Sequence, residues 1–282
     1  MEVLLVVTLL SLIVLALMSV FNMTQAAFRA SVTQTDVLEG SRAAVDLIAR
    51  DLRGLTPSGN TNAVNFYTAN NDNFFISYQP LYQSLPGSSN LRTNLLQGFF
   101  VLGRNNDKWT GAGYVVNSGD TNSFYPLYCY HRSDLSVQSD PRQLFAQFTT
   151  VIATGQWTNQ YMSHLMDGVV HLVVRAYDTN GYWMTNGYAF GQRLTVTNAW
   201  FFPSEWGEVG CDMVGSTVPA SVELQLGVLE DSTVQRAESL PNNLPALPPN
   251  DRRTQFLYLQ SGKVHLFRQR VPIPNLDPTA YQ

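Results

Sequence analysis

From Val3 to Phe21 the chain carries no charge, and only Thr8, Ser11 and Ser19 interrupt an otherwise apolar run. At about 1.5 Å rise per residue, a helix over this run matches the roughly 30 Å hydrocarbon core of a bilayer. A cleaved signal peptide is the competing reading, with Gln25-Ala26-Ala27 as a processing site. The run exceeds the usual apolar region of about 7–15 residues, and no basic stretch precedes it. Downstream, Leu38, Val45, Ile48, Leu52 and Leu55 recur at steps of seven, three, four and three, which is one stripe of a helix. The opposite face carries Glu39/Arg42 and Asp46/Arg50 at helical-neighbour spacing, each pair worth a few tenths of a kcal/mol. Gly40 is the sole interior glycine, and Gly54 and Pro57 supply the stop. The pattern predicts one continuous helix of about 53 residues, on the order of 80 Å long. Its first half is an anchor. Its second half is a stalk that lays Val45, Ile48, Leu52 and Leu55 against a globular head.

After Pro57 the chain changes character: Asn, Ser, Gly and Thr fill much of 58–73, then short β-type runs alternate with turn signals. The expected strands are Phe74–Tyr78, Gly98–Leu102, Tyr114–Val116, Tyr125–His131, Val169–Tyr177, Ala199–Phe202, Val222–Val228 and Val264–Val271. The run around Val173 alternates with period two and turns at Asp178-Thr179-Asn180-Gly181 into Tyr182-Trp183-Met184, a hairpin signature. Residues 236–252, with Pro241, Pro245, Pro248 and Pro249, read as an extended loop. Arg252–Gln260 fits either a short helix or half of a hairpin turning at Ser261-Gly262. The expected fold is α+β: an anchor and stalk over 1–55, and an antiparallel, β-rich extracytoplasmic head over 56–282.

Composition narrows the function. Of 282 residues, 45% are hydrophobic and 13% charged, and the formal charge is −4. No Lys/Arg stripe suits a phosphate backbone, so nucleic acid is not an expected partner. The 13 Tyr, 15 Phe and 5 Trp suit an exported, β-rich protein. Cys129 and Cys211 form an even pair that an oxidising compartment could join, or else two buried thiols; their spacing leaves both open. His164, Asp167 and His171 lie close in sequence but lack a metal-ligand spacing on one helix, so no metal is expected. Asn70-Asn71-Asp72-Asn73 and Asn105-Asn106-Asp107 offer oxygens to calcium, although Asx-rich turns are commoner than calcium loops. Trp109, Trp157, Trp183, Trp200 and Trp206 would stack on sugars if several were exposed together; core and contact roles are the plainer account. No nucleophile elbow, phosphate loop or dinucleotide fingerprint occurs. Neither catalytic residues nor a cofactor is expected, and the chain reads as non-enzymatic.

Glu2 stands directly before the apolar run, where a carboxylate in hydrocarbon costs about 2.5–3.5 kcal/mol. A place at the water interface would explain it in a generic anchor. The string Met1-Glu2-Val3-Leu4-Leu5-Val6-Val7 resembles the mature start of type IV pilins and type II secretion pseudopilins. In that family a leader is removed by a prepilin peptidase ahead of a glutamate and a long apolar helix. The resemblance implies that Glu2 neutralises the methylated terminal amine of a neighbouring subunit, since a charge among packed helices needs a partner. The leader and the residues that would precede Met1 are not in this sequence. Arg50-Asp51-Leu52-Arg53, Gly168–Trp183 and Pro219–Leu226 are similar to J-type minor pseudopilins and PilW-like minor pilins. The closing Val264–Pro272 is similar to pilin-like proteins encoded in gene cassettes of Verrucomicrobia. The resemblance implies other pilins and an inner-membrane assembly machinery as partners. It also implies a single pass through a bacterial inner membrane, with the head in the periplasm or in an extracellular filament. The alternative is a permanently anchored binding module, for example for carbohydrate.

Overall fold

The computed structural model describes residues 2–68, 81–119, 123–185, 196, 198–204, 206–240 and 252–281. One helix, α1 (Glu2–Arg53), precedes the head. Then come β1 (Val64–Thr68), β2 (Leu81–Ser84), β3 (Leu91–Asn94), β4 (Phe99–Asn105), β5 (Lys108–Val116) and β6 (Leu127–Ser136). Helix α2 (Arg142–Ala153) leads to β7 (Met162–Met166), β8 (Val169–Tyr177), β9 (Ala199–Pro203), β10 (Val209–Val214) and β11 (Ser221–Leu229). Helices α3 (Asp231–Glu238) and α4 (Arg252–Tyr258) and strand β12 (Val264–Pro272) complete the order. The class is α+β, an N-terminal apolar helix joined to antiparallel sheets.

Seven strands form the main sheet in the order β7-β6-β5-β4-β1-β10-β9, three form a second in the order β12-β11-β8, and β2 pairs with β3. Because side chains alternate across a strand, the main sheet has two distinct faces. Phe99, Tyr114, Val116 and Cys129 turn to one side and share a core with Leu172, Val174, Leu224 and Leu226 of the three-stranded sheet and with the stalk end of α1. Phe100, Leu102, Val115 and Tyr130 turn to the other side and pack on Leu144, Phe148, Val151 and Ile152 of α2. A third cluster gathers Leu81, Val170 and Leu229 with Val234, Ala237 and Leu257 from α3 and α4.

Strand β5 begins at Lys108, well before the expected Tyr114. Gly111 and Gly113 interrupt its alternation because α2 occupies the space that their side chains would take. A Cβ at Gly111 would lie 3.0 Å from Leu144 Cβ, and one at Gly113 would run into the Phe148 ring. Likewise β4 runs on to Asn105 and β6 spans Leu127–Ser136, so both extend past their expected ends. The segment read as an extended loop from 236 starts inside α3, whose Thr233, Val234 and Ala237 are buried, and ends at Arg252 in α4. Helix α4 settles the ambiguous stretch at Arg252 as helical. The Asp178 turn returns as a single bridge, Tyr177 to Trp183, rather than as a paired strand. The expected strand Phe74–Tyr78, the Asn70–Asn73 loop and the four loop prolines lie outside the described residues.

The sheet register decides between the two readings of the cysteines. Cys129 pairs across the ladder with Tyr114, Tyr114 with Phe99, Phe99 with Thr68, and Thr68 with Cys211. The two thiols therefore sit four strand spacings apart, roughly 19 Å at about 4.8 Å per step. A disulfide needs Cα atoms within about 7 Å. Both are buried free thiols, and burial pushes each up to about 12.

Candidate functional site: the unpartnered half of the N-terminal helix

The stalk end of α1 enters the head at Val37. Val37, Ser41, Ala44, Val45, Ile48, Ala49 and Leu52 are buried, with Ser41, Ile48, Ala49 and Leu52 fully so. Their spacing of three and four keeps them on one stripe, and Ser41, Ala44 and Ala49 are small enough to bring the helix backbone close to the sheets. The stripe packs against β11 and β12 of the three-stranded sheet and against β4 and β7 of the main one. Glu39, Arg42, Asp46 and Arg50 are exposed, as an outward face requires. Arg50 approaches Asp51 at 3.5 Å rather than Asp46. With Arg50 70% exposed, that pair contributes little.

Leu55 is fully buried, but not as part of the stripe. The helix ends at Arg53, and Leu55 makes a bridge with Gly103 of β4, while the Thr56 N–H donates to the Leu102 carbonyl at 2.9 Å. Gly103 permits this: a Cβ there would lie 3.0 Å from the Gly54 carbonyl oxygen. The Tyr114 hydroxyl donates to Asp51 Oδ2 at 2.7 Å, and burial raises the phenol far above its usual range, so it stays protonated. Asn275 Nδ2 donates to the Leu55 carbonyl at 3.0 Å. Tyr114 of β5 and Asn275, just past β12, thus both hold the head end of the stalk.

Among the described residues, nothing packs against the Val6–Gln25 part of α1. Val6–Gln25 is a 20-residue stretch of mean hydropathy 2.4 with 0% of it buried. Leu9, Leu12, Leu15, Met18, Phe21 and Met23 are all more than half exposed. The apolar side chains cover every direction around the axis rather than one stripe, and a helix hydrophobic all round belongs in lipid or a large core. The span's polar side chains are partly satisfied within it. Ser11 Oγ donates to the Thr8 carbonyl at 2.9 Å and Thr24 Oγ1 to the Val20 carbonyl at 2.9 Å. Hydrocarbon demands this kind of internal satisfaction. Glu2 is exposed in the first turn of α1, where a carboxylate interacts favourably with the helix dipole. About 35 residues, on the order of 50 Å of helix, separate it from the first buried stalk residue.

Among the described residues, the remaining candidates other than the His164–Asp167 pair lie apart from one another. His164 contacts Asp167 at 3.0 Å near the end of β7. His171, on β8, is buried, and its Nδ1 accepts the Leu95 N–H at 3.1 Å. Burial, with the positive charge of Arg92, lowers His171 to about 4. Among the described residues no three His, Cys, Asp or Glu side chains group to hold a metal ion. Asn105-Asn106-Asp107 forms the β4–β5 turn, with Asn106 at positive φ and the Asp107 carbonyl taken by the Val137 N–H at 2.9 Å. Trp109 is buried, Trp157 and Trp183 are half-buried, and Trp200 and Trp206 are exposed on the β9–β10 hairpin. Sequence reasoning passed over Asp51 as a partner of Tyr114, a contact between residues 63 apart that no local pattern encodes. No protein-family model, no curated protein and no solved structure matches this chain.

Proposed function

We propose that this chain is a structural, pilin-like subunit: a minor pilin or pseudopilin that waits in the inner membrane and joins a filament through α1. The observation that carries the reading is the division of a single helix. Val6–Gln25 is wholly unburied and apolar, whereas Val37–Leu52 is locked between two sheets. A rigid rod joining the two halves transmits the position of the span to the head, as a filament subunit requires. In a filament, neighbouring helices would replace lipid around Val6–Gln25. The expected partners are further subunits, the membrane assembly machinery and a peptidase that trims a leader. Glu2 is the charge whose partner would be a neighbour's terminal amine, because a carboxylate in a helix bundle is tolerated only when paired.

The test uses Glu2→Ala and Glu2→Gln in the native host, comparing membrane-bound with sheared-filament fractions. Both variants should insert and fold normally yet fail to enter filaments, since Glu2 lies far from the stalk–head contact. Normal incorporation of both removes the assembly role and leaves a permanently anchored binding module as the better account.

A further inference from the structure

Independently of α1, one row of the main sheet continues past the helix that covers it. Tyr130, Gly113, Phe100, Tyr67, Asp212 and Trp200 are successive cross-strand partners from β6 to the edge strand β9. Helix α2 packs on β4 and β5, with Phe148 above Gly113 and Phe145 against both Phe100 and Tyr67 at ring separations of 5.3 and 5.1 Å. Beyond Tyr67 the row holds Asp212 and then Trp200, which is 50% exposed.

Asp212 is out of keeping with that setting. Its Oδ1 is enclosed and has no hydrogen-bond donor, and none of the salt bridges among the described residues includes it. Desolvation alone pushes its carboxyl up to about 6. At neutral pH it is therefore an ionised, half-buried group with no counter-charge among the described residues, which costs stability in an isolated fold. On its two sides in the same row stand aromatic rings, Tyr67 on β1 and Trp200 on β9, two strand spacings or about 9–10 Å apart. Aromatic walls about an unpaired carboxylate favour a cation above every neutral ligand. The carboxylate supplies the opposite charge and the ring faces supply cation–π attraction.

We propose that Tyr67, Asp212 and Trp200 form a binding site for an organic ammonium group, with Asp212 as counter-ion and the rings as its walls. A sugar would satisfy the rings and leave the charge uncompensated, so the ammonium is the chemistry this arrangement fits.

The experiment titrates the full chain, in a non-ionic polyoxyethylene detergent, with choline. Parallel titrations use its neutral isostere 3,3-dimethylbutanol and glucose, with calorimetry and tryptophan fluorescence as readouts. Choline should bind saturably, and the neutral isostere at least tenfold more weakly. Asp212→Asn should weaken choline at least tenfold and Trp200→Leu should abolish the fluorescence response, while Trp200→Phe retains weakened binding. Unchanged circular dichroism and unfolding midpoints of at least the wild-type value in Asp212→Asn separate lost binding from lost folding. Equal binding of choline and its isostere, no saturation, unaltered affinity in folded Asp212→Asn, or binding of glucose without choline would each overturn the proposal.

Discussion

Truncating Ile48 to Ala probes whether the stalk is held by its burial between the two sheets. Ile48 is 0% exposed and belongs to the core shared by both sheets. The substitution removes three carbons, about 2.4 kcal/mol at roughly 0.8 kcal/mol each. The sheets are fixed by their own ladders and close poorly over the gap, so a cavity contribution of about 1–2 kcal/mol is added at roughly 24 cal/mol per Å³. The expected loss is about 3–4 kcal/mol. Leu10→Ala is the control: Leu10 is 62% exposed on the same helix, and its truncation should leave head stability within about 0.5 kcal/mol. Urea unfolding of the detergent-solubilised full chain, followed by tryptophan fluorescence, measures both. A loss below about 1 kcal/mol for Ile48→Ala, or an equal loss for the two variants, would refute a stalk held by its buried stripe.

Cys129 and Cys211 should both resist alkylation in the folded chain and both react in urea, with no mass change on reduction; a reducible link between them would contradict the sheet register. Gly113→Ala should cost about 1–3 kcal/mol by pushing the Phe148 ring off β5, and Phe148→Leu in the same chain should recover part of it. Asp212, raised from 3.8 to about 6 by desolvation, holds its proton more tightly folded than unfolded, so stability should fall as pH rises from about 4 to about 6. Discounted for remaining exposure the effect is about 1–2 kcal/mol; Asp212→Asn should remove that slope and gain stability at pH 7, as read from urea midpoints. His171 has the opposite sign: lowered from 6.5 to about 4 by burial and Arg92, it is held neutral, so stability should be lost as pH falls through that window. His171→Gln should flatten that loss, and an unchanged pH profile would show that His171 is not the group responsible.

Much of α1 was legible because a helix writes its environment into local spacing: the uncharged run, the Val45–Ile48–Leu52 stripe and the Gly54 stop all act within a turn or two. Leu55 shows the limit, since its burial comes from a bridge to Gly103 and not from the helical stripe. Strands β8 and β11 were legible from their valine- and leucine-rich cores. Strand β5 was half hidden, because α2 selects glycine at Gly111 and Gly113 and so erases the alternation that marks a strand. Helix α2 was not among the expected elements, although Leu144, Phe148, Val151 and Ile152 stand at helical spacing after Asp140, whose Oδ1 accepts the Arg142 N–H at 3.0 Å. The Asp212 row could not be read at all, since it depends on β1 pairing with β10, far apart in the chain.

The central claim is that Val6–Gln25 crosses a membrane and then packs against other copies, and disulfide trapping tests it most directly. Ile13 is 49% exposed at the middle of the span, and the two native thiols are buried and out of reach of each other. With Ile13→Cys expressed in the native host, carbonate-washed membranes and sheared filaments are oxidised and run without reductant. The account predicts chain that resists carbonate extraction, and cross-linked dimers in the filament fraction that disappear in the Glu2→Ala background. Chain released by carbonate, or membrane-embedded chain that yields no cross-link in any fraction, would contradict it.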